Sequence, residues 1–193
     1  MVPTDNLQRK TQLTPGARAV LDAASALFYE RGIGAVGVDA VAASAGVTKK
    51  TIYDRFSSKA ALVCAYLQER DYRYRQWLEN WIAAHPEEEP VLAVFDALES
   101  WMAEHGRQGC AFVHAHAELL STPEHPAHEI IRGQKRWLQQ KFQQLLEESG
   151  HQQSQQMATA LLTLHEGATV LRSVSDFPAA ISDARTSAAQ LLP

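Results

Sequence analysis

Apolar residues in this chain return every three or four positions. Met157, Leu161, Leu164, Ala168 and Leu171 step by four, three, four and three, and Leu13, Ala17, Val20, Leu21, Ala24, Leu27 and Phe28 trace a similar stripe. Those intervals line one face of a helix, whereas a half-buried strand would alternate every second residue. No convincing period-two run occurs anywhere, so the chain reads as all-α, with about nine helices.

Turn chemistry places the N-terminal helices. Thr14 is a suitable N-cap, Pro15 fits the first turn and Gly32 suits a left-handed C-terminal position, which predicts a first helix over 15–31. Glycines at 32, 34 and 37 keep a loop open. Val38, Val41, Ala42 and Ala45 then form a short second helix ending at Gly46. The pattern restarts within a few residues, with Thr48 as a cap and Ile52 and Phe56, four apart, facing inward. Two short helices joined by a Gly-containing turn make a helix-turn-helix.

The charge distribution agrees with that motif. The net charge is −4, yet residues 1–60 hold eight Lys/Arg against five Asp/Glu, and residues 61–193 hold ten against seventeen. The first part is therefore +3 and the remainder −7. A basic part joined to an acidic one is expected where one docks on phosphates and the other does something else. The second helix of a helix-turn-helix enters the major groove with its first residues nearest the base edges. Lys49 and Lys50 occupy those positions and can donate to guanine O6 and N7, while Thr48, Thr51, Tyr53 and Lys59 suit phosphates.

The run from Ala17 to Leu62, and AGVTKKTIYDRFSSKAAL above all, resembles the N-terminal domain of TetR-family (tetracycline-repressor-like) transcriptional regulators. The resemblance implies an all-helical homodimer: a three-helix DNA-binding domain, drawn here as residues 12–58, and a larger effector-binding and dimerisation domain, residues 59–193. It implies base or phosphate contacts from Thr48, Lys49, Lys50, Thr51 and Tyr53, and a phosphate contact from Lys59. It also implies a dimer through the last two helices, a palindromic operator on double-stranded DNA, and repression relieved by a small molecule. Two positions depart from the family pattern. Gly37, Val38 and Asp39 stand where a threonine often opens helix two, and Asp39 would repel phosphate. Asp54 stands where an aromatic residue or histidine is common, and it could accept from cytosine N4 or cap locally.

Beyond Lys59 a long helix can run to His85, followed by helices past Pro90, over 112–120, after the STPEHPAH loop to Gly150, over 157–174, and from Pro178. The helix over 157–174 carries a second stripe, Thr163, Gly167, Val170 and Val174, and so calls for two packing surfaces. Trp77, Trp81, Phe95, Trp101, Phe112 and Trp137, with His114 and His165 as polar handles, are the candidate lining of a pocket for a hydrophobic or aromatic effector. Aromatic residues at helical spacing serve equally as core. Cys110, His114 and Glu118 fall four apart, which raises a metal- or redox-responsive alternative; no metal or cofactor is expected, and Cys64 and Cys110 read as small buried hydrophobes. An effector-free DNA binder is the other alternative.

No nucleophile-base pair, Gly-rich phosphate loop or paired-carboxylate motif stands out, so the chain is not expected to be an enzyme; Glu87, Glu88 and Glu89 read as a charged helix start. MVPTDNLQRK lacks the apolar centre of a secretory signal, and no apolar run approaches the ~20 residues of a membrane span. A cytoplasmic protein is expected.

Overall fold

The computed structural model describes residues 13–86, 89–106 and 108–192. Glu87 and Glu88 of the expected charged helix start lie outside the described residues, as does residue 12. Among the described residues there are nine helices and no strands: α1 Pro15–Arg31, α2 Val38–Ala45, α3 Lys49–Phe56, α4 Lys59–Ala84, α5 Pro90–His105, α6 Ala111–Glu118, α7 Ala127–Glu148, α8 Ser154–Val174 and α9 Ala180–Leu191. The expected helix ends fall within a few residues of these, the usual range for frayed termini. The chain divides into two compact units, Met1–Tyr66 and Leu67–Pro193, the division falling inside α4.

In the first unit, α1 starts where Thr14 Oγ1 accepts from the Ala17 amide at 3.4 Å. Its apolar stripe, Ala17, Val20, Leu21, Ala24, Leu27 and Phe28, is buried throughout. Val41 of α2, Ile52 of α3 and Leu62 of α4 are fully buried, and Phe28 meets Tyr66 edge-on at 5.8 Å. Each such side chain contributes about 1.5–3 kcal/mol by leaving water, which is what fixes three short helices that propensity alone would not hold. Gly46 ends α2 at φ +65°, a left-handed conformation that a side chain would strain, and the chain then turns directly into α3.

In the second unit, α5 packs on α9, α9 on α8, and α8 on α7, with α6 against α7. The core contains Leu78, Val94, Phe95, Leu138, Phe142, Leu146, Leu161 and Ile181. Leu161 and Ala168 of the first α8 stripe are buried in it. The second stripe is uncovered: Val170 and Val174 are exposed, together with Leu171 at the end of the first stripe and Phe177 beyond the helix, Val174 by 71% and Phe177 by 61%. A groove of about 340 Å³ runs along this face, bordered by Gly167, Leu171, Phe177 and Ala184. No helix among the described residues is long and apolar enough to cross a membrane.

Candidate DNA interface and effector cavity

α3 presents one face inward and the rest outward. Ile52 is fully buried, whereas Lys49, Lys50 and Tyr53 are exposed and Thr51 half-exposed. Thr48 caps the helix: its Oγ1 accepts from the Thr51 amide at 3.2 Å and lies 2.9 Å from the Thr51 hydroxyl. The two lysines are held by aspartates. Lys49 Nζ donates to Asp39 Oδ2 at 3.0 Å, and Lys50 Nζ to Asp54 Oδ2 at 2.8 Å. Those hydrogen bonds and charges raise both lysines above the ordinary lysine pKa. The two acidic departures noted in the sequence are thus the partners of the two cations. Lys59, at the start of α4, is half-buried and donates to the Ile33 carbonyl at 2.7 Å.

A cavity of about 50 Å³ lies in the second unit, with Tyr74, Trp101, Cys110, Phe112, Lys135 and His165 in its wall. Of the eight residues expected to line a pocket, Trp101, Phe112 and His165 do so, and the others lie elsewhere. Phe95 is fully buried against Phe142. Trp77 donates through Nε1 to the Ala97 carbonyl at 3.1 Å. Trp81 stacks on His85, its Nε1 buried without a hydrogen-bond partner. Trp137 lies under the Arg75 guanidinium at 4.4 Å, and His114 is half-buried on α6.

The cavity wall also carries a polar network. His165 is 4% exposed; its Nε2 lies 3.0 Å from the Tyr74 hydroxyl and its Nδ1 3.6 Å from Glu166 Oε1. Lys135 Nζ donates to Glu166 Oε2 at 2.6 Å and to Cys110 Sγ at 3.4 Å. Burial works against the charge on Glu166, but His165 and Lys135 outweigh it and bring the carboxyl down to about 2. Burial likewise opposes the Lys135 charge, and Cys110 and Glu166 more than compensate, so its pKa is raised. Burial, then Glu166 and Cys110, push the Tyr74 hydroxyl up, so it keeps its proton. Two buried atoms of the wall, Gln134 Oε1 and His165 Nδ1, have no hydrogen-bond partner. Cys64 and Cys110 are half-exposed, not the buried hydrophobes expected; Cys110 stands at the N-cap of α6 beside a cation.

Gly109 sets the position of Cys110. It adopts φ +88°, and a Cβ there would come within 2.6 Å of the Ser173 hydroxyl. Any side chain would push the start of α6 away from α8. Tyr74, Gln134, Lys135, Glu166 and Thr169 were absent from the expected lining. A sequence signal for two of them exists: Gln134 and Lys135 fall between Ile131 and Leu138 on the apolar stripe of α7, where polar residues have no reason to be unless something faces them. Cys110 precedes α6 as its N-cap and His114 lies within it, and among the described residues no group of three His, Cys, Asp or Glu is placed to hold a metal ion.

An all-α chain whose first unit is a helix-turn-helix with a cationic, solvent-facing second helix has the architecture of a DNA-binding domain followed by a second helical unit. Residues 20–66 match the family described as bacterial regulatory proteins, tetR family. The HTH-type transcriptional activator FasR of Mycolicibacterium smegmatis is 49% identical over 49 residues, which cover 25% of this chain and 22% of FasR. An uncharacterized HTH-type transcriptional regulator of Mycobacterium tuberculosis is 38% identical over 74 residues, covering 38% of this chain and 36% of that protein. The chain therefore spans well under half the length of the curated relatives it matches. The TetR-family regulator SCO4454 of Streptomyces coelicolor aligns over 92% of this chain and 88% of its own with a TM-score of 0.84 and 27% identity. The first unit therefore carries a DNA-binding domain of the tetR family, and the chain as a whole shares the fold of SCO4454.

Proposed function

We propose that the protein is a dimeric, ligand-responsive repressor that leaves a palindromic operator when a small molecule enters the second unit. Residues 12–58 form the DNA-binding domain and residues 59–193 the effector and dimerisation domain, and the protein acts in the cytoplasm. The observation that carries this reading is α3: an eight-residue helix anchored by Ile52, capped by Thr48, with Lys49 and Lys50 free to swing off exposed aspartates toward base edges. Thr48, Thr51 and Tyr53 supply hydroxyls for phosphate, and Lys59 reaches a phosphate by leaving the Ile33 carbonyl.

The uncovered stripe on α8, with the apolar groove beside α9, supports a twofold pairing of these helices, since apolar surface of that kind is stable when covered. Such a pair would present two α3 helices about 34 Å apart, one turn of duplex. The cavity supports the effector reading because Arg70 and Tyr74 of its wall lie on α4, the helix that begins at Lys59. A ligand shifts an equilibrium only through its different affinity for two states, and α4 is the element on which it would act.

Gel shift with the DNA flanking the gene tests the reading. Lys49→Ala and Lys50→Ala are expected to relax base discrimination, whereas Lys59→Ala weakens all duplexes alike and lowers the salt slope by about one. Light scattering that returns a monomer at micromolar concentration would overturn the dimer. FasR carries the name of an activator, so transcript levels after deletion of the gene decide the sign: a rise means repression and a fall activation.

A further inference from the structure

Asp54 is unused by the reading above, and its place on α3 does not suit an ordinary surface acid. It stands in the last turn of the helix, where the dipole disfavours a carboxylate. Its partner Lys50 precedes it by four, the less stabilising order for such a pair. It also brings a negative charge to a helix that meets phosphates. Helix stability therefore gives no reason for it, and its direction does. At 3.6 residues per turn, Lys50 and Asp54 each lie roughly 160° around α3 from the fully buried Ile52. They hold the outermost line of the helix, Lys50 Nζ 2.8 Å from Asp54 Oδ2, with side chains 83% and 57% exposed. Lys49, by contrast, sits only about 60° from Ile52 and is tied to Asp39 of α2.

We propose that Lys50 and Asp54 together read one base pair in each half-site, Lys50 over the keto base and Asp54 over the amino base, with G·C preferred. The proposal rests on the reading that α3 enters the major groove. There each base pair shows a carbonyl acceptor beside an amino donor, guanine O6 beside cytosine N4 or thymine O4 beside adenine N6. The base pair's own N–H···O bond joins those two atoms, so they stand about 2.9 Å apart. That spacing matches the one between Lys50 Nζ and Asp54 Oδ2. The ammonium donates to the carbonyl and the base amino group donates to the carboxylate. Lys50 need not leave Asp54 to do so. Four polar atoms then close a ring in which every donor has an acceptor on each side.

The flanking atoms rank the four base pairs. With guanine under Lys50, N7 offers the ammonium a second acceptor, and cytosine presents no acceptor to Asp54. With thymine under Lys50, adenine N7 faces the carboxylate and repels it. In the two inverted pairs the ammonium meets an amino group and the carboxylate meets a carbonyl, so both contacts fail. A lone lysine separates G·C from inverted A·T less sharply, because adenine N7 still accepts from it. Asp54 is the residue that excludes A·T, since thymine O4 would lie against its carboxylate.

The test is selection from a pool of random duplexes by the full chain, followed by affinities for the selected duplex and its single-pair replacements. The parent is expected to bind G·C about tenfold tighter than inverted C·G at one position per half-site. Asp54→Ala keeps that preference but narrows the gap between G·C and A·T severalfold. The exchange Lys50→Asp with Asp54→Lys is expected to invert the preference to C·G. It keeps the net charge and puts acid early and base late in α3, the order the dipole favours, so a parent-like melting curve is expected. An exchange that keeps the G·C preference or abolishes all preference overturns the proposal. So does an Asp54→Ala variant that binds all four duplexes more tightly by one factor, which would make Asp54 a repelling charge only. A parent pool in which nothing is enriched overturns the DNA-binding reading and this proposal with it; an enriched operator indifferent to both residues overturns this proposal alone.

Discussion

The molecule pairs lysines with carboxylates in two opposite settings. On α3, Lys49–Asp39 and Lys50–Asp54 lie in water, with the lysine side chains 51% and 83% exposed. In the second unit Lys135–Glu166 is sheltered, both side chains about a quarter exposed, with Cys110 and His165 as further partners. Coulomb attraction in water is weak and screened by salt, so the α3 pairs open at little cost. In a drier setting the same pairing fixes geometry, and removing one member strands the other. A reading head needs the first arrangement and a cavity wall the second.

The largest test of that contrast is Lys135→Met. It leaves Glu166 without its cation, and a loss of roughly 3 kcal/mol in denaturant-unfolding stability is expected, with much of it recovered in Lys135→Met/Glu166→Gln. Equal stability of the single variant and the parent would place this pair with the surface ones. Acid probes the same pair differently. Glu166 has its folded pKa depressed to about 2 from an ordinary 4.5, so its contribution is complete above about pH 5 and is lost as pH falls toward 2. That loss is about 3 kcal/mol by the pKa difference, and a pH titration of stability in Glu166→Gln is expected to be flatter by that amount.

The two settings also differ in how far the sequence announces them. α1 to α3 are written in local signals: Thr14 and Thr48 cap, Gly32 and Gly46 stop, and Ile52 takes the inward face, because a short helical unit is decided by turn chemistry and one small core. The nine-helix order follows from the same periodicity. The cavity wall was legible in Trp101, Phe112 and His165 only. Tyr74, Lys135 and Glu166 come from three helices up to 92 positions apart, and their meeting depends on how α4, α7 and α8 pack, which periodicity does not encode. Aromatic spacing marked Phe95 and Trp137 as strongly as Trp101, since core and pocket draw on the same residues. The aspartate partners of Lys49 and Lys50 were visible as departures at 39 and 54, but a pairing across ten residues needs the turn at Gly46 to be built first.

Smaller effects sharpen the α3 side. Thr48→Ala removes the acceptor for the Thr51 amide, with an expected loss of about 1 kcal/mol. The least change in stability is expected from Lys49→Ala and Lys50→Ala, because exposed pairs add nothing that a melting curve resolves. Their effect belongs to binding: each is expected to lower the slope of log affinity against log salt only slightly if the lysine reads a base edge, and by about one if it neutralises a phosphate. Asp39→Asn separates the two roles further. It frees Lys49 and removes a negative charge from the docking face, so affinity for random duplex is expected to rise more than affinity for the operator, and the specificity ratio falls. A ratio that rises instead would mean that Asp39 positions Lys49 for its base, and that this exposed pair, like the buried one, is kept for its geometry.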